Sequence, residues 1–543
     1  MRRRLVSCLR LLPLLLVAAC ASVPETAPRS SLPALVRAEQ SLKQARRIAM
    51  PAGQRAGFYL AAAEDAEPFA IKGEPERARE IYNNATAEVT ALLRGSHEGR
   101  EWVNGAIFDG PRGSYRMTLD ASKRDGQWAA GAFDRFIVAR DVTHRRLRKW
   151  VHEPGLGGSL VGVKNPPGGR KGRDPFAPRF GYRAPVTATL EFRGTSVGRR
   201  GAVLALHDPE RRREVRIGSA TAPLAADISA PLASFPYKSE TLVGLLAMIF
   251  ADRFSSESGL FMLEPYQPDR VPVVLVHGLL STPQMWGDVI NEIEGDPELR
   301  GRVQFWVFWY PTGTPITFNA LKLRDDLASA RRRYGLPHGV VLVGHSMGGL
   351  LARLQVTEPG RAIWDRTYKG RADALYSKVP AESFLKRAAI FNSNPDVKRE
   401  VFICTPHRGS QMALGSIGNI GRKLISLPAN LVLQTQKALG MPLELIFGKG
   451  GRLPTSIDGL SPHSPLLTAL DGLPILAPHH SIIGDSGRGN SPLSSDGTVP
   501  YSSSHLDSAE SELIVPGPHG SYAMTQTVAE LQRILKLHLR SGK

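Results

Sequence analysis

Three residue types stand in the C-terminal half at positions that suit acyl chemistry. Ser346 lies in Gly344-His345-Ser346-Met347-Gly348, inside the run VVLVGHSMGGLLARL (340–354). Asp496 lies in SSDGTVP and His519 in VPGPHGSY, both downstream of the serine. A hydroxyl is a poor nucleophile until a base takes its proton, and the base needs a carboxylate to orient it and hold its charge. Together these residues point to attack on a carbonyl through a covalent acyl-enzyme. The oxyanion formed on the way needs two backbone N–H donors. Met347, next after the serine, offers one. Leu279, after His277-Gly278 at the end of VPVVLV, offers the other.

Each of these residues needs an element to deliver it. Val340–Val343 is a β-branched apolar run that suits a buried strand, and MGGLLARLQ can open a helix. The small residues between them allow a tight strand-to-helix turn with the serine in a strained conformation at its tip. The helix N-terminus behind it favours developing negative charge. Asp496 comes after the strand candidate HHSIIGD, and His519 directly follows LIVP. Both therefore sit on loops at strand ends, where an open α/β sheet collects its reacting groups. VPVVLV, VQFWVFW and REVFIC are further strand candidates, separated by helical patterns such as FNALKLRDDLASARRRYG. This alternation predicts a parallel sheet covered on both faces. A closing helix, MTQTVAELQRILKLHL, sets Met524, Val528, Leu531, Leu535 and Leu539 on one face.

Several residues compete for these roles. Asp485 ends HHSIIGD and is an alternative acid; Asp496 is preferred because DGTVP has the form of an acid loop. His505 is a rival base without a preceding strand. His407, in TPHRGS, is expected to line or brace the cleft. His345 is held inside the turn and cannot reach its neighbour's oxygen. Cys404, in VFIC, reads as core packing. The GDSG at 484–487 lacks the surroundings of a trypsin-type site and reads as coincidence.

The remainder of the chain sets the context. A length of 543 residues suggests two to four domains, and 42% hydrophobic with 22% charged residues is a globular composition. The net charge is +19, yet the arginines are scattered among acids, so no specific nucleic-acid partner is expected. MRRRLVSCLRLLPLLLVAAC has a basic start, a short apolar run and small residues before Cys20. The run is too short to span a bilayer comfortably. Its ending resembles a bacterial lipobox, which implies a signal peptide over 1–19 and a lipid on Cys20. Ala21 in the following position implies the outer membrane. Of three cysteines, Cys8 falls in the signal and Cys404 is left alone, so no disulfide framework is expected.

Composition divides the chain after the signal into a Pro/Ser/Ala-rich tether (20–34), a helical segment (35–98) and a β-rich accessory domain (99–265). The last contains a basic loop, KNPPGGRKGRDP, and TLVGLLAMIF, which is too short for a membrane span. The catalytic domain is expected over 266–543, with a lid-like insertion at about 408–474.

VLVHGL, GHSMGG, TPHRGS, SDGTVP and PHGSY together resemble bacterial α/β-hydrolases of the lipase/esterase superfamily, over about residues 270–541. The resemblance implies an α/β-hydrolase sheet with Ser346 as nucleophile, Asp496 as orienting acid, His519 as base, and Leu279 and Met347 as oxyanion donors. It implies a carboxylic-ester or lipid substrate, with no cofactor and no metal. An acyltransferase would use the same triad, and an inert envelope scaffold could keep the fold. Protein partners stay open.

Overall fold

The computed structural model describes residues 32–542, apart from 96–103, 123–125, 144–146, 166–173, 195–198, 236–257, 412–414, 416–428, 448–452 and 488–492. The signal segment with Cys20, nearly all of the tether, most of the basic loop and TLVGLLAMIF lie outside the described residues, as does part of the 408–474 insertion.

Three helices come first: α1 (Leu32–Ala45), α2 (Ala52–Lys72) and α3 (Glu76–Gly95). Ten strands follow. They are β1 (Ile107–Gly110), β2 (Gly113–Leu119), β3 (Arg135–Val138), β4 (His152–Glu153), β5 (Gly158–Lys164), β6 (Tyr182–Arg193), β7 (Arg199–His207), β8 (Glu214–Ile217), β9 (Ala220–Pro223) and β10 (Ala226–Asp227). Six of them form a sheet in the order β1-β2-β7-β6-β5-β3. Ala184, Val186, Ala188 and Leu190 of β6 belong to one core with Leu60, Ala66, Val89 and Leu93 of the helices. Alternate residues of a strand share a face, so this sheet presents an apolar side that the helices cover. Tyr82 of α3 fastens the two layers, donating to the Leu190 carbonyl at 2.5 Å and accepting from its N–H at 2.8 Å. The sequence textures that change at residue 98 are thus two layers around one core.

The second sheet contains β11 (Gly259–Met262), β12 (Val271–Val276), β13 (Val303–Trp309), β14 (Val340–His345), β15 (Val397–Ile403), β16 (His479–Asp485) and β17 (Ser511–Pro516). Their order is β11-β13-β12-β14-β15-β16-β17. All neighbours run parallel except β11, which is antiparallel to β13. This corrects the boundary drawn at 266: the sheet begins at Gly259, because the partner that recruits GLFM lies downstream, at Trp306–Trp309. Every residue of β12 and β14 is buried, as expected for central strands covered on both faces. On one face Ile316, Ala320, Leu323 and Leu350 pack against Val274 and Leu342. On the other, Val289, Ile290, Val528 and Leu531 pack against Val273 and Val341. A run of three short helices, Ala362–Tyr368, Ala372–Lys378 and Phe384–Ala389, separates the helix after β14 from β15. These had no sequence signature, since six or seven residues hold under two turns of periodicity.

The two halves meet at the N-terminal ends of the second sheet's strands. Arg270, just before β12 and 1% exposed, reaches Glu210, Glu264 (3.1 Å) and Asp208 (3.5 Å). Arg300, just before β13, binds Glu153 at 2.6 Å. Ser229 donates to Asn291 at 2.6 Å, and Tyr334 to Asp174 at 2.7 Å. No helix among the described residues is long and apolar enough to cross a membrane.

Candidate active site

The opposite, C-terminal ends of the same strands carry the candidate chemistry. β14 ends in a turn that lifts Ser346 to φ 55°, ψ −125°, a left-handed conformation costly for any residue with a Cβ. The turn tolerates nothing larger than glycine on either side. A Cβ on Gly344 would stand 2.5 Å from the Gly349 Cα, and one on Gly348 would stand 2.3 Å from the Val276 carbonyl oxygen. The Ser346 N–H donates to the Ile403 carbonyl at 2.8 Å, tying the turn to β15.

Asp496 and His519 come from separate loops that fasten to each other. The His519 N–H donates to the Asp496 carbonyl at 2.9 Å. The Asp496 carboxylate is oriented by the N–H groups of Thr498 and Val499, at 2.7 and 2.6 Å, on Oδ1. Its Oδ2 accepts from His519 Nδ1 at 2.7 Å. A carboxylate only accepts, so Nδ1 carries the ring proton and Nε2 presents its lone pair. That nitrogen stands 2.9 Å from Ser346 Oγ, placed to accept the hydroxyl proton. The Asp496 side chain is 1% exposed and His519 23%, so the charge is dry while the base reaches the surface.

The rival residues fall elsewhere. Asp485 Oδ1 accepts from the Gly487 N–H at 3.0 Å, and its carbonyl accepts from Gly517, so it braces the ends of β16 and β17 while Asp496 partners the histidine. His505 is engaged by Glu512 and Asp507 at 2.6 and 3.0 Å. His407 is fully buried, accepts from Arg353 at 3.4 Å through Nδ1 and meets Phe402 edge-on, so it braces the helix after Ser346.

Two neighbours do more than the sequence suggested. His345 packs between the rings of His519 and Tyr522, at 5.0 Å from each, and its Nε2–H donates to the His519 carbonyl at 2.8 Å. Burial, helped by the adjacent His519, pushes its pKa down to about 3, so it is a neutral strut for the base's loop. Nothing in the sequence distinguishes a strut from a merely confined histidine. Cys404, read as core packing, is fully buried but lies beneath the triad, its sulfur within 4.8 Å of ring nitrogens of His345 and His519. Burial, and then the Asp496 charge, hold its thiol well above the usual range, which keeps it protonated and unreactive. Both nitrogens of His519 are already engaged by Asp496 and Ser346, so this trio is a packing contact and not a metal centre.

Leu279 lies in the turn after β12, and Met347 opens the helix after Ser346. Among the described residues, neither backbone N–H has an acceptor within the protein. Both amides are thus available to an oxygen held beside Ser346.

The strand order, the strained serine turn and the loop-borne acid and histidine define an α/β-hydrolase domain in the C-terminal half, preceded by a helical segment and a sheet-rich region. Residues 273–480 match the sequence profile of the alpha/beta hydrolase family. No curated protein sequence matches the chain. Among solved structures, the chain is similar to a lipase from Bacillus licheniformis, with 17% identity over 51% of this chain and 97% of that one and a TM-score of 0.30. It is also similar to lipase 1 from Pelosinus fermentans, with 13% identity over 49% and 98% and a TM-score of 0.32. Phospholipase PlaB from Legionella pneumophila gives 13% identity over 50% and 61%, with a TM-score of 0.31.

Proposed function

We propose that the protein is a serine hydrolase that cleaves carboxylic esters through an acyl-enzyme on Ser346. The observation that carries this reading is the unbroken hydrogen-bonded chain from Ser346 Oγ through His519 to Asp496, at 2.9 and 2.7 Å, on a strained turn. His519 Nε2 takes the hydroxyl proton as Oγ attacks the ester carbon, and Asp496 holds the imidazolium that results. The carbonyl oxygen becomes an oxyanion facing the N–H groups of Leu279 and Met347. Collapse breaks the C–O bond to the alcohol, which leaves with the proton from His519. Water then attacks the acyl-enzyme by the same steps, releasing the acid and restoring Ser346.

The same proposal places the enzyme on the outer membrane of a bacterial envelope by a lipid on Cys20; its support is the basic, apolar and VAAC pattern of residues 1–20, with Ala21 and not Asp following the cysteine. The test is a panel of short- and long-chain esters given to the wild type and to Ser346→Ala. Turnover by the wild type, with a trapped acyl group on Ser346 in the mass spectrum, supports the mechanism. Equal turnover by Ser346→Ala refutes it. For the anchor, Cys20→Ala is expected to shift the protein from the membrane to the soluble fraction without loss of turnover. A membrane fraction unchanged by that substitution would refute the lipid.

A further inference from the structure

The candidate oxyanion donor Leu279 belongs to a turn with no regular structure of its own, and a donor works only if it is aimed before the reaction begins. The peptide that carries the Leu279 N–H carries the Gly278 carbonyl on its other side. In a trans peptide these two groups point in opposite directions, so whatever holds the carbonyl aims the N–H. His277 Nδ1–H donates to the Gly278 carbonyl at 3.0 Å. Burial pushes the His277 pKa down to about 4, so the ring is neutral and Nδ1 has the proton it donates.

What fixes His277 comes from the next strand. Tyr310 directly follows β13, the parallel neighbour of β12. Its ring is 1% exposed and lies flat against the His277 ring, with centroids 4.4 Å apart and planes 15° apart. It also stacks on Phe308, at 5.4 Å and 20°. Its hydroxyl donates to the His277 carbonyl at 2.5 Å. Two residues further on, Thr312 accepts from the Leu280 N–H at 3.4 Å, and Leu280 is itself held at φ 59°. The turn also has no freedom toward the serine: a Cβ on Gly278 would stand 3.1 Å from the Ser346 Cβ.

We propose that Tyr310 is a positioning residue for the oxyanion site: its hydroxyl and ring lock the His277-Gly278 turn and so aim the Leu279 N–H. Tyr310 touches no reacting atom and acts only through His277. The inference rests on the serine-hydrolase reading above and adds to it a residue that no motif marks.

The test is Tyr310→Phe in the full chain, which keeps both ring stacks and removes only the hydroxyl. Removing an oxyanion donor outright costs about 10²–10³ in kcat, so loosening one is expected to cost about tenfold. KM should stay within about twofold, because the ground-state ester does not use the donor. An alkylboronic acid, whose tetrahedral adduct on Ser346 places an oxygen in the same position, should bind more weakly by about the same factor as kcat/KM. A merely structural role would not produce that parallel loss. Should Tyr310→Phe misfold, Thr312→Val tests the second brace by the same readouts. Wild-type values of kcat and boronate affinity in a folded Tyr310→Phe would overturn the inference, as would a rise in KM with kcat unchanged. A wild-type protein that neither turns over esters nor binds the boronate would instead refute the hydrolase reading, and the inference with it.

Discussion

The two ends of the central sheet have opposite electrostatic designs. At the C-terminal ends, around Ser346, the buried histidines beside the triad are kept neutral. Burial lowers His277 to about 4 and His345 to about 3, and drives His407 well below its usual range. At the N-terminal ends, where the accessory half docks, Asp208, Glu210 and Glu264 gather around Arg270. Burial and mutual repulsion raise Asp208, Glu264 and the nearby Glu294 above the ordinary carboxylate range. The physical cause is the same at both ends, desolvation of the charged form. Its consequences differ because the groups differ. In the proposed mechanism, neutral struts around Ser346 leave the Asp496 carboxylate to answer the charge that develops on His519. The docking surface between the two halves is organised around one buried cation, Arg270, shared among carboxyl groups whose ionisation burial opposes, an arrangement costly to leave unpartnered.

The contrast can be broken most severely at the C-terminal end. His519→Ala is expected to reduce ester turnover about 10⁴-fold or more, and the double variant with Ser346→Ala to be no worse than the poorer single one, because the groups act as a unit. Steady-state hydrolysis measures this; losses that multiply would contradict it. At the other end, Arg270→Met should leave three carboxylates without their buried cation and destabilise the protein by about 3–5 kcal/mol. Denaturant midpoints read that loss, and the kcat of the folded enzyme should be unchanged.

Stability against pH sharpens the contrast, because the two ends have opposite signs. The folded pKa values of His277 and His345 lie below the unfolded value near 6.5. Their contribution is therefore whole above about 6.5 and is lost as pH falls below it, when only the unfolded chain takes up protons. Asp208 and Glu264 are raised, to about 7 and about 8. Their contribution is whole below the unfolded carboxylate pKa, near 4, and is lost as pH rises through neutrality. Glu264→Gln should accordingly flatten the part of the melting-temperature decline that runs from about pH 4 to about pH 8, and leave the histidine-linked loss below about 6.5 in place. An unaltered decline up to about pH 8 would contradict the assignment. The smallest expected effect is that of Asp485→Asn, within about threefold of wild-type turnover, since the His519 Nδ1 faces Asp496 and not Asp485; Asp496→Asn should lose about 10⁴-fold.

The same contrast governs what could be read from the sequence. The residues at the C-terminal ends occupy contiguous motifs, each following a strand, so Ser346, Asp496, His519, Leu279 and Met347 could be nominated from local pattern alone. Asp485 and Asp496 could be ranked only by loop form, and the structure separates them by which one the His519 Nδ1 faces. His345, Tyr310 and Cys404 were invisible as site residues, because their roles depend on neighbours more than 30 residues away in sequence. The charged cluster at the other end is drawn from residues 208, 210, 264 and 270, in loops with no shared motif. The start of the second sheet at Gly259 was missed for the same reason: an edge strand of four residues is identified by its partner.

If Ser346 is a nucleophile activated by His519, it should react with a fluorophosphonate, because the probe requires an activated serine and marks the one that reacts. A single adduct on the peptide containing GHSMGG is expected, formed far more slowly in His519→Ala. An adduct on another serine, or none on the folded wild type, would contradict it.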